Sequence, residues 1–244
     1  MSQPFSIYPD SFDGNTLSYH RFGERGGSLV DVVNGKVLTA YGGVTPLDDG
    51  YRFDGASGYL GASFATQPER TTLTLECWLR GWALPLETVG SPVVFYSGSS
   101  NQCRFWMRRR DNPATSMIGI RSTIDGTVLD CNWVSADADA LLASASPLHI
   151  AAVRDGTSLG IFVNGILRRN VTVVATVWSA GTWLFNVGAR FGTTFFVAGV
   201  LDEVRLSASA RYAADFPITR FQDGRRAVVR GPGMQAGVFA GIRQ

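Results

Sequence analysis

Lysine is almost missing from this chain: Lys36 is the sole one in 244 residues. Charged residues of all kinds make up 17%, below the ~25% usual in globular domains. The net charge is only +2, which gives no general case for a nucleic-acid partner. Cysteine is sparse, with Cys77, Cys103 and Cys131. An odd count without a CxxC pair excludes a disulfide framework and a zinc cluster, and three buried free thiols are the expectation. No apolar run reaches the ~18 residues of a membrane span. The opening MSQPFSIYPDSFDG has neither the basic stretch nor the apolar core of an export signal, so synthesis in the cytoplasm is expected.

What is present is material for short strands. Hydrophobic residues reach 45%, aromatics 11%, and there are 28 glycines. The most legible stretch is HIAAVRDGTSLGIFVNGILRRN, His149 to Asn170. Ser158 to Val163 alternates, with Leu159, Ile161 and Val163 on one face and Gly160 and Phe162 on the other. Asp155-Gly156 and Asn164-Gly165 punctuate it. Such dipeptides between alternating apolar runs are strong hairpin signals, because a type I′ turn needs positive φ at both central positions. An antiparallel meander follows.

The same alternation recurs along the chain. Leu73 to Trp82 sends Leu73, Leu75, Cys77 and Leu79 one way and Thr74, Glu76, Trp78 and Arg80 the other. Cys103 to Arg110 separates Cys103, Phe105 and Met107 from Arg104, Trp106 and Arg108. Further strands are expected at 17–22, 36–41, 93–96, 118–122, 127–132, 182–188 and 197–206, with two short strands around a glycine-rich turn in 51–60 and with Asp125-Gly126 as a third hairpin turn. Only the alanine-rich 136–146 suits a helical turn, or else a loop crossing a sheet edge. Residues 1–14 read as an irregular lead and 15–212 as one domain. Residues 213–244 read as an extended C-terminal arm, rich in glycine and arginine from 217 onward, that takes order from a partner.

Five stretches, in order, resemble the laminin-G-like, concanavalin A-like jelly-roll domains. They are TLSYHRFGERGGSLVDVVNG, YRFDGASGYL, LTLECWLRG, LHIAAVRDGTSLGIFVNGIL and VAGVLDEVRLS. The resemblance spans about residues 17–212 and implies an all-β fold, a sandwich of two antiparallel sheets. LSASARYAADFPITRF is similar to the stretch that ends many such domains in bacteriophage virion proteins. That resemblance implies a tail, fibre or capsid-associated role, with release by lysis in place of secretion.

The sequence offers few catalytic groups. Glycan-cleaving enzymes that the resemblance brings to mind carry closely spaced carboxylates on one strand, because hydrolysis needs an acid and a nucleophile or base. The five glutamates, at 24, 69, 76, 87 and 203, have no such spacing, and no nucleophile elbow is present. His149 is expected to be structural. Asp202 shares strand phase with Val200, Val204 and Leu206, so it is expected to point inward and to need a partner. That partner is an arginine, backbone N–H groups, or a calcium ion, which favours carboxylate and carbonyl oxygens. Relatives place such an ion near this strand and the FDG turn, which implicates Asp54 or Asp13.

Arg104, Trp106 and Arg108 form the candidate ligand face, since indoles stack on sugars and arginine forks bind carboxylates. The same residue types also make subunit interfaces or pack against a second sheet. Phe221, Arg225, Arg226 and Arg230 are the candidate docking residues of the arm. The reading is a non-enzymatic virion structural or adhesion protein. Its expected partners are other virion proteins and further copies of itself, with a host surface glycan as a candidate ligand and with no nucleic acid or membrane insertion. The alternatives are a cellular carbohydrate-binding lectin and a glycoside hydrolase.

Overall fold

Strands account for almost all the regular structure. The computed structural model describes residues 14–20, 22, 29–31, 33–48, 50–67, 71–83, 91–98, 104–112, 115–124, 127–135, 141, 146–174, 181–190 and 194–218. For 65–67, 82–83, 91–93, 95–98, 104–112, 115–124 and 127–128 it describes the backbone alone. The strands are β1 (Thr16–His20), β2 (Thr39–Tyr41), β3 (Val44–Leu47), β4 (Gly50–Asp54), β5 (Tyr59–Gln67), β6 (Thr72–Ala83), β7 (Ser91–Gly98) and β8 (Arg104–Asn112). They continue with β9 (Thr115–Ile124), β10 (Thr127–Val134), β11 (Leu148–Asp155), β12 (Ser158–Val163), β13 (Ile166–Thr172), β14 (Gly181–Val187) and β15 (Ala198–Ser207).

Among the described residues these form two antiparallel sheets. The eight-stranded sheet runs β13-β12-β11-β6-β15-β4-β3, with β1 also pairing β15. The seven-stranded sheet runs β10-β9-β8-β7-β14-β5-β2. Period-two alternation places one side of each strand in the core between them. From the first sheet come Leu73, Leu75, Cys77, Leu79, Ile150, Ala152, Leu159, Ile161 and Val163. From the second come Leu60, Phe64, Val94, Cys131, Trp183, Phe185 and Val187. Each large apolar side chain buried this way contributes about 1.5–3 kcal/mol. Cys77 and Cys131 are buried free thiols, as expected. Cys103 lies outside the described residues, as does all of the expected helical turn at 136–146 except Leu141 and Ser146.

The meander forms as the sequence predicts, with one change of turn type. Asn164 (φ 52°) and Gly165 (φ 74°) both take positive φ and join Val163 to its partner Ile166. The other turn is closed by Asp155 and Ser158, so Gly156 and Thr157 are its central pair. Gly156 alone has positive φ there, at 53°, which is the type II′ pattern. Fully buried Arg154 ties this turn down, donating Nε to the Gly156 carbonyl at 3.1 Å and Nη2 to that of Val174 at 2.9 Å.

Three expectations change. Strand β3 was not legible, because Pro46 lies within it; β3 ends its sheet, where a strand tolerates proline. Residues 213–216, assigned above to the arm, lie on the outer face of the eight-stranded sheet. The Phe216 N–H donates to the Gly165 carbonyl at 2.8 Å, and Asp215 Oδ1 accepts from the Leu167 N–H at 2.8 Å. With Ala210 and Tyr212, Phe216 packs on Ala151, Val153 and Phe162, closing a second apolar cluster.

The third change concerns Asp202. A bulge breaks the β15–β6 register between Asp202 and Arg205, and Glu203 takes φ 46°. The core residues of β15 are therefore Leu201, Val204 and Leu206, three and then two apart. Asp202 is out of phase with all of them. It registers with Trp78 on the outer face, not inward with Val204 and Leu206.

Candidate functional site

Glu76, His149, Arg205 and Tyr212 converge under the 208–216 segment. Alternation along β6 turns Glu76 away from the core, β15 sets Arg205 opposite it, and β11 sets His149 opposite Trp78. Glu76 Oε1 accepts from Arg205 Nε at 2.6 Å. Glu76 Oε2 accepts from the Tyr212 hydroxyl at 2.7 Å and lies 3.1 Å from His149 Nε2. Arg205 Nη2 also donates to the Tyr212 oxygen at 3.1 Å.

Burial alone would raise the Glu76 carboxyl. The Arg205 charge and the His149 hydrogen bond outweigh it and hold the group well below the usual carboxylate range. Burial, reinforced by the Glu76 charge, pushes the Tyr212 phenol up. Tyr212 stacks on Phe216 at 3.7 Å, and both pack edge-on to the His149 ring. Thr72 and Thr74 donate to the carbonyls of Ala208 and Ser209. The Glu76 side chain is 3% exposed, so the arrangement closes on itself. It fastens the 208–216 segment to the sheet and offers no face to a substrate. His149 is thereby structural, as the sequence predicts.

A second buried group has the composition of a hydrolytic triad but not its geometry. Ser18 Oγ lies 2.9 Å from His20 Nε2, and Asp31 Oδ2 lies 3.9 Å from the same nitrogen. A working triad puts the acid on the other ring nitrogen. The imidazole is 1% exposed and sits between Phe22 and Phe185. Burial lowers its pKa to about 4, against the opposing pull of Asp31.

A histidine held neutral this way contributes stability that is complete above its unfolded pKa of 6.5. That contribution is lost as pH falls toward 4, because the unfolded chain binds the proton first. The thermal midpoint of the wild type is expected to fall between pH 6.5 and 4, and that slope is expected to flatten in His20→Gln. Equal slopes in the two proteins would remove His20 as the cause.

The carboxylates named as calcium ligands are held apart. Asp54 Oδ1 accepts from the N–H groups of Ala56, Ser57 and Gly58 at 2.8–2.9 Å, and Oδ2 accepts from the Ser57 hydroxyl at 2.9 Å. Burial pulls the Asp54 pKa up, and these bonds together outweigh it and bring it down to about 2. Asp202 Oδ1 accepts from the Glu203 N–H at 2.8 Å. Asp54 registers with Ala198, four residues before Asp202 on β15, a spacing of about 13 Å. Among the described residues no group of three or more His, Cys, Asp or Glu could hold a metal ion. Asp13 lies outside the described residues, as do Phe221, Arg225, Arg226 and Arg230 of the arm.

Arg104, Trp106 and Arg108 fall on β8, inside the seven-stranded sheet. The backbone register gives a transverse row: Thr39, Gly61, Asn186, Phe95, Trp106, Arg121 and Asp130, one position per strand from edge to edge. The row is out of phase with the core pair Val94 and Val187. By backbone register it lies on the other face of the sheet from that pair, where Asn186 is itself buried. Sequence reasoning found Trp106 but not its neighbours Arg121 and Phe95, because pairing across strands leaves no local signal.

With this geometry, family relationships can be placed. A family model described as concanavalin A-like lectin/glucanases superfamily matches residues 54–215. The chain belongs to that superfamily. The match starts at the Asp54 loop and ends beside Phe216, so this concanavalin A-like domain includes the 208–215 segment.

Solved structures share the sandwich of this concanavalin A-like chain. One is domain 4 of AbnA, a GH43 extracellular arabinanase from Geobacillus stearothermophilus, in complex with arabinotriose. It has a TM-score of 0.56 and 14% identity, covering 80% of this chain and 93% of that one. The binding domain of botulinum neurotoxin DC in complex with SialylT gives 0.57 and 11%, covering 80% and 48%. The botulinum neurotoxin serotype G binding domain gives 0.58 and 11%, covering 81% and 49%. The chain thus spans about half the length of those toxin domains. No curated protein matches it in sequence.

Proposed function

We propose that this chain is a non-catalytic glycan-binding sandwich of a bacteriophage virion, docked on neighbouring subunits through residues beyond 217. The glycan part is carried by one observation: the transverse row sets Trp106 beside Arg121 in the interior of the seven-stranded sheet. Arg104 and Arg108 lie two residues to either side along β8. An indole stacks on the apolar face of a sugar, and guanidinium groups pair with its carboxylate or hydroxyl oxygens. The arabinanase domain solved with arabinotriose and the toxin domain solved with SialylT lend support, being ligand-bound examples of the same fold. The virion part rests on the similarity of LSASARYAADFPITRF to the ends of phage sandwich domains, and on the arginine-rich composition after it.

Two measurements test the parts separately. On a glycan array the wild type is expected to bind a defined set of glycans, with Trp106→Ala weaker by about tenfold. No binding to any glycan would sink the glycan part. For the virion part, the full chain is expected to sediment with phage particles and a chain lacking 217–244 to remain free. Glycan binding by a chain that never joins a particle would favour the cellular lectin.

A further inference from the structure

We propose a second sugar subsite at the edge of the seven-stranded sheet, built on Tyr41 and Tyr59 and suited to a neutral pyranoside or furanoside. It rests on the glycan-binding reading above and names a different place on the same sheet.

Tyr41 closes β2 and registers with Tyr59, the first residue of β5. The two rings stack at 4.5 Å with 11° between their planes, and Tyr59 also meets the tilted ring of Phe196 at 6.5 Å. Among the described residues no strand pairs with the other side of β2. Tyr41 is 45% exposed. One face of its ring is therefore covered by Tyr59, and the other is open at the sheet edge. A large aromatic surface held open in this way is costly in water unless something covers it.

The ledge is also held rigid. Gly42 (φ 60°) and Gly43 follow Tyr41 and interlock with the Asp54 loop. The Asp54 N–H donates to the Gly43 carbonyl at 3.1 Å, and the Gly43 N–H donates to Ser57 Oγ at 3.0 Å. A Cβ at Gly42 would strike the Ser57 carbonyl, and one at Gly43 would strike the Asp54 carboxylate. The turn beside the ring thus carries no side chain and cannot accept one. A ring fixed by stacking and by a locked turn has little freedom left to lose on binding, which favours affinity.

The chemistry beside the ring selects the ligand. Asp54 is exposed and held ionised by its own loop. Its Oδ2 carries one hydrogen bond, from Ser57. An aromatic face followed directly by a turn that packs on an ionised carboxylate and a hydroxyl suits a sugar's apolar face and its O–H donors. The same negative charge disfavours acidic sugars, in contrast to the arginine-flanked Trp106.

The test uses the full chain with arabinotriose, maltotriose and cellotriose as neutral probes and a sialylated trisaccharide as the acidic one. Binding is read by saturation-transfer NMR and by titration, for wild type, Tyr41→Ala, Tyr41→Phe and Trp106→Ala. The thermal midpoint of Tyr41→Ala is followed as a folding control, and loss of one stacked pair is expected to lower it by only a few degrees. The expected result is binding of at least one neutral probe, weakened about tenfold in Tyr41→Ala and restored within about twofold in Tyr41→Phe. Neutral binding that survives Tyr41→Ala, or binding of the acidic probe alone, overturns the subsite and leaves glycan binding standing. Failure of every probe together with an empty glycan array overturns both.

Discussion

Replacing Glu76 with alanine is expected to lower the thermal midpoint by about 10 °C. The carboxylate is buried, and three side chains surround it: Arg205, His149 and Tyr212. Removing one member of a buried ion pair leaves its partner charged and unpaired, at a cost of about 3–5 kcal/mol. At roughly 2–4 °C per kcal/mol for a chain of this size, that gives a fall on the order of 10 °C. Tyr212→Phe removes two hydrogen bonds, one to Glu76 and one from Arg205, but leaves that ion pair in place, and is expected to cost less, about 1.5–3 kcal/mol.

The pH dependence follows from the sign of the Glu76 shift. Its folded pKa lies below the unfolded value of 4.5. The stability it contributes is complete above 4.5 and is lost as pH falls through the lower, folded value. The His20 slope lies higher, between 6.5 and about 4. The two can thus be told apart in a single acid titration. His20→Gln should flatten the upper limb and Glu76→Ala the lower one. A Glu76→Ala protein that melts with the wild type and keeps its acid limb would show that the network holds nothing.

Gly165→Val is expected to detach the 208–216 segment and cost about 4 kcal/mol. Gly165 has φ 74°, a conformation that strains a β-branched residue by about 1–3 kcal/mol. The added Cβ would also overlap the Phe216 carbonyl. That threatens the Phe216 N–H bond to Gly165 and the burial of Phe216 against Phe162. A backbone hydrogen bond contributes about 1 kcal/mol and a buried phenylalanine about 1.5–3. Urea unfolding should give the loss in stability. Limited proteolysis should place new cleavage within 208–218 before the sheets are cut. A variant with unchanged urea midpoint and the wild-type cleavage pattern would refute the account.

Local pattern made most of the fold legible. Alternation along β6 and β12 separated core from outer face residue by residue, and Asn164-Gly165 gave its turn type. What escaped the sequence depends on partners far along the chain. The bulge at Glu203 has no glycine or proline to mark it, so Asp202 was put on the wrong face. Glu76 read as an isolated acid because Arg205 and Tyr212 lie 129 and 136 residues away. Tyr41 and Tyr59 became a pair only once β2 joined the sheet. Trp106 was found from alternation on its own strand, whereas its row needed six strand pairings.

The fastening of 208–216 also gives the molecule a front and a back. The chain passes Phe216 on the outer surface of the eight-stranded sheet, beside the turn between β12 and β13. The Trp106 row and the Tyr41 ledge belong to the opposite sheet. The described chain thus ends on the face opposite the row, with the thickness of two sheets, about 10 Å between their backbones, separating the two. On the proposed function, attachment from that back face would leave the row and the ledge free on the front, where weak single-site contacts add up across copies.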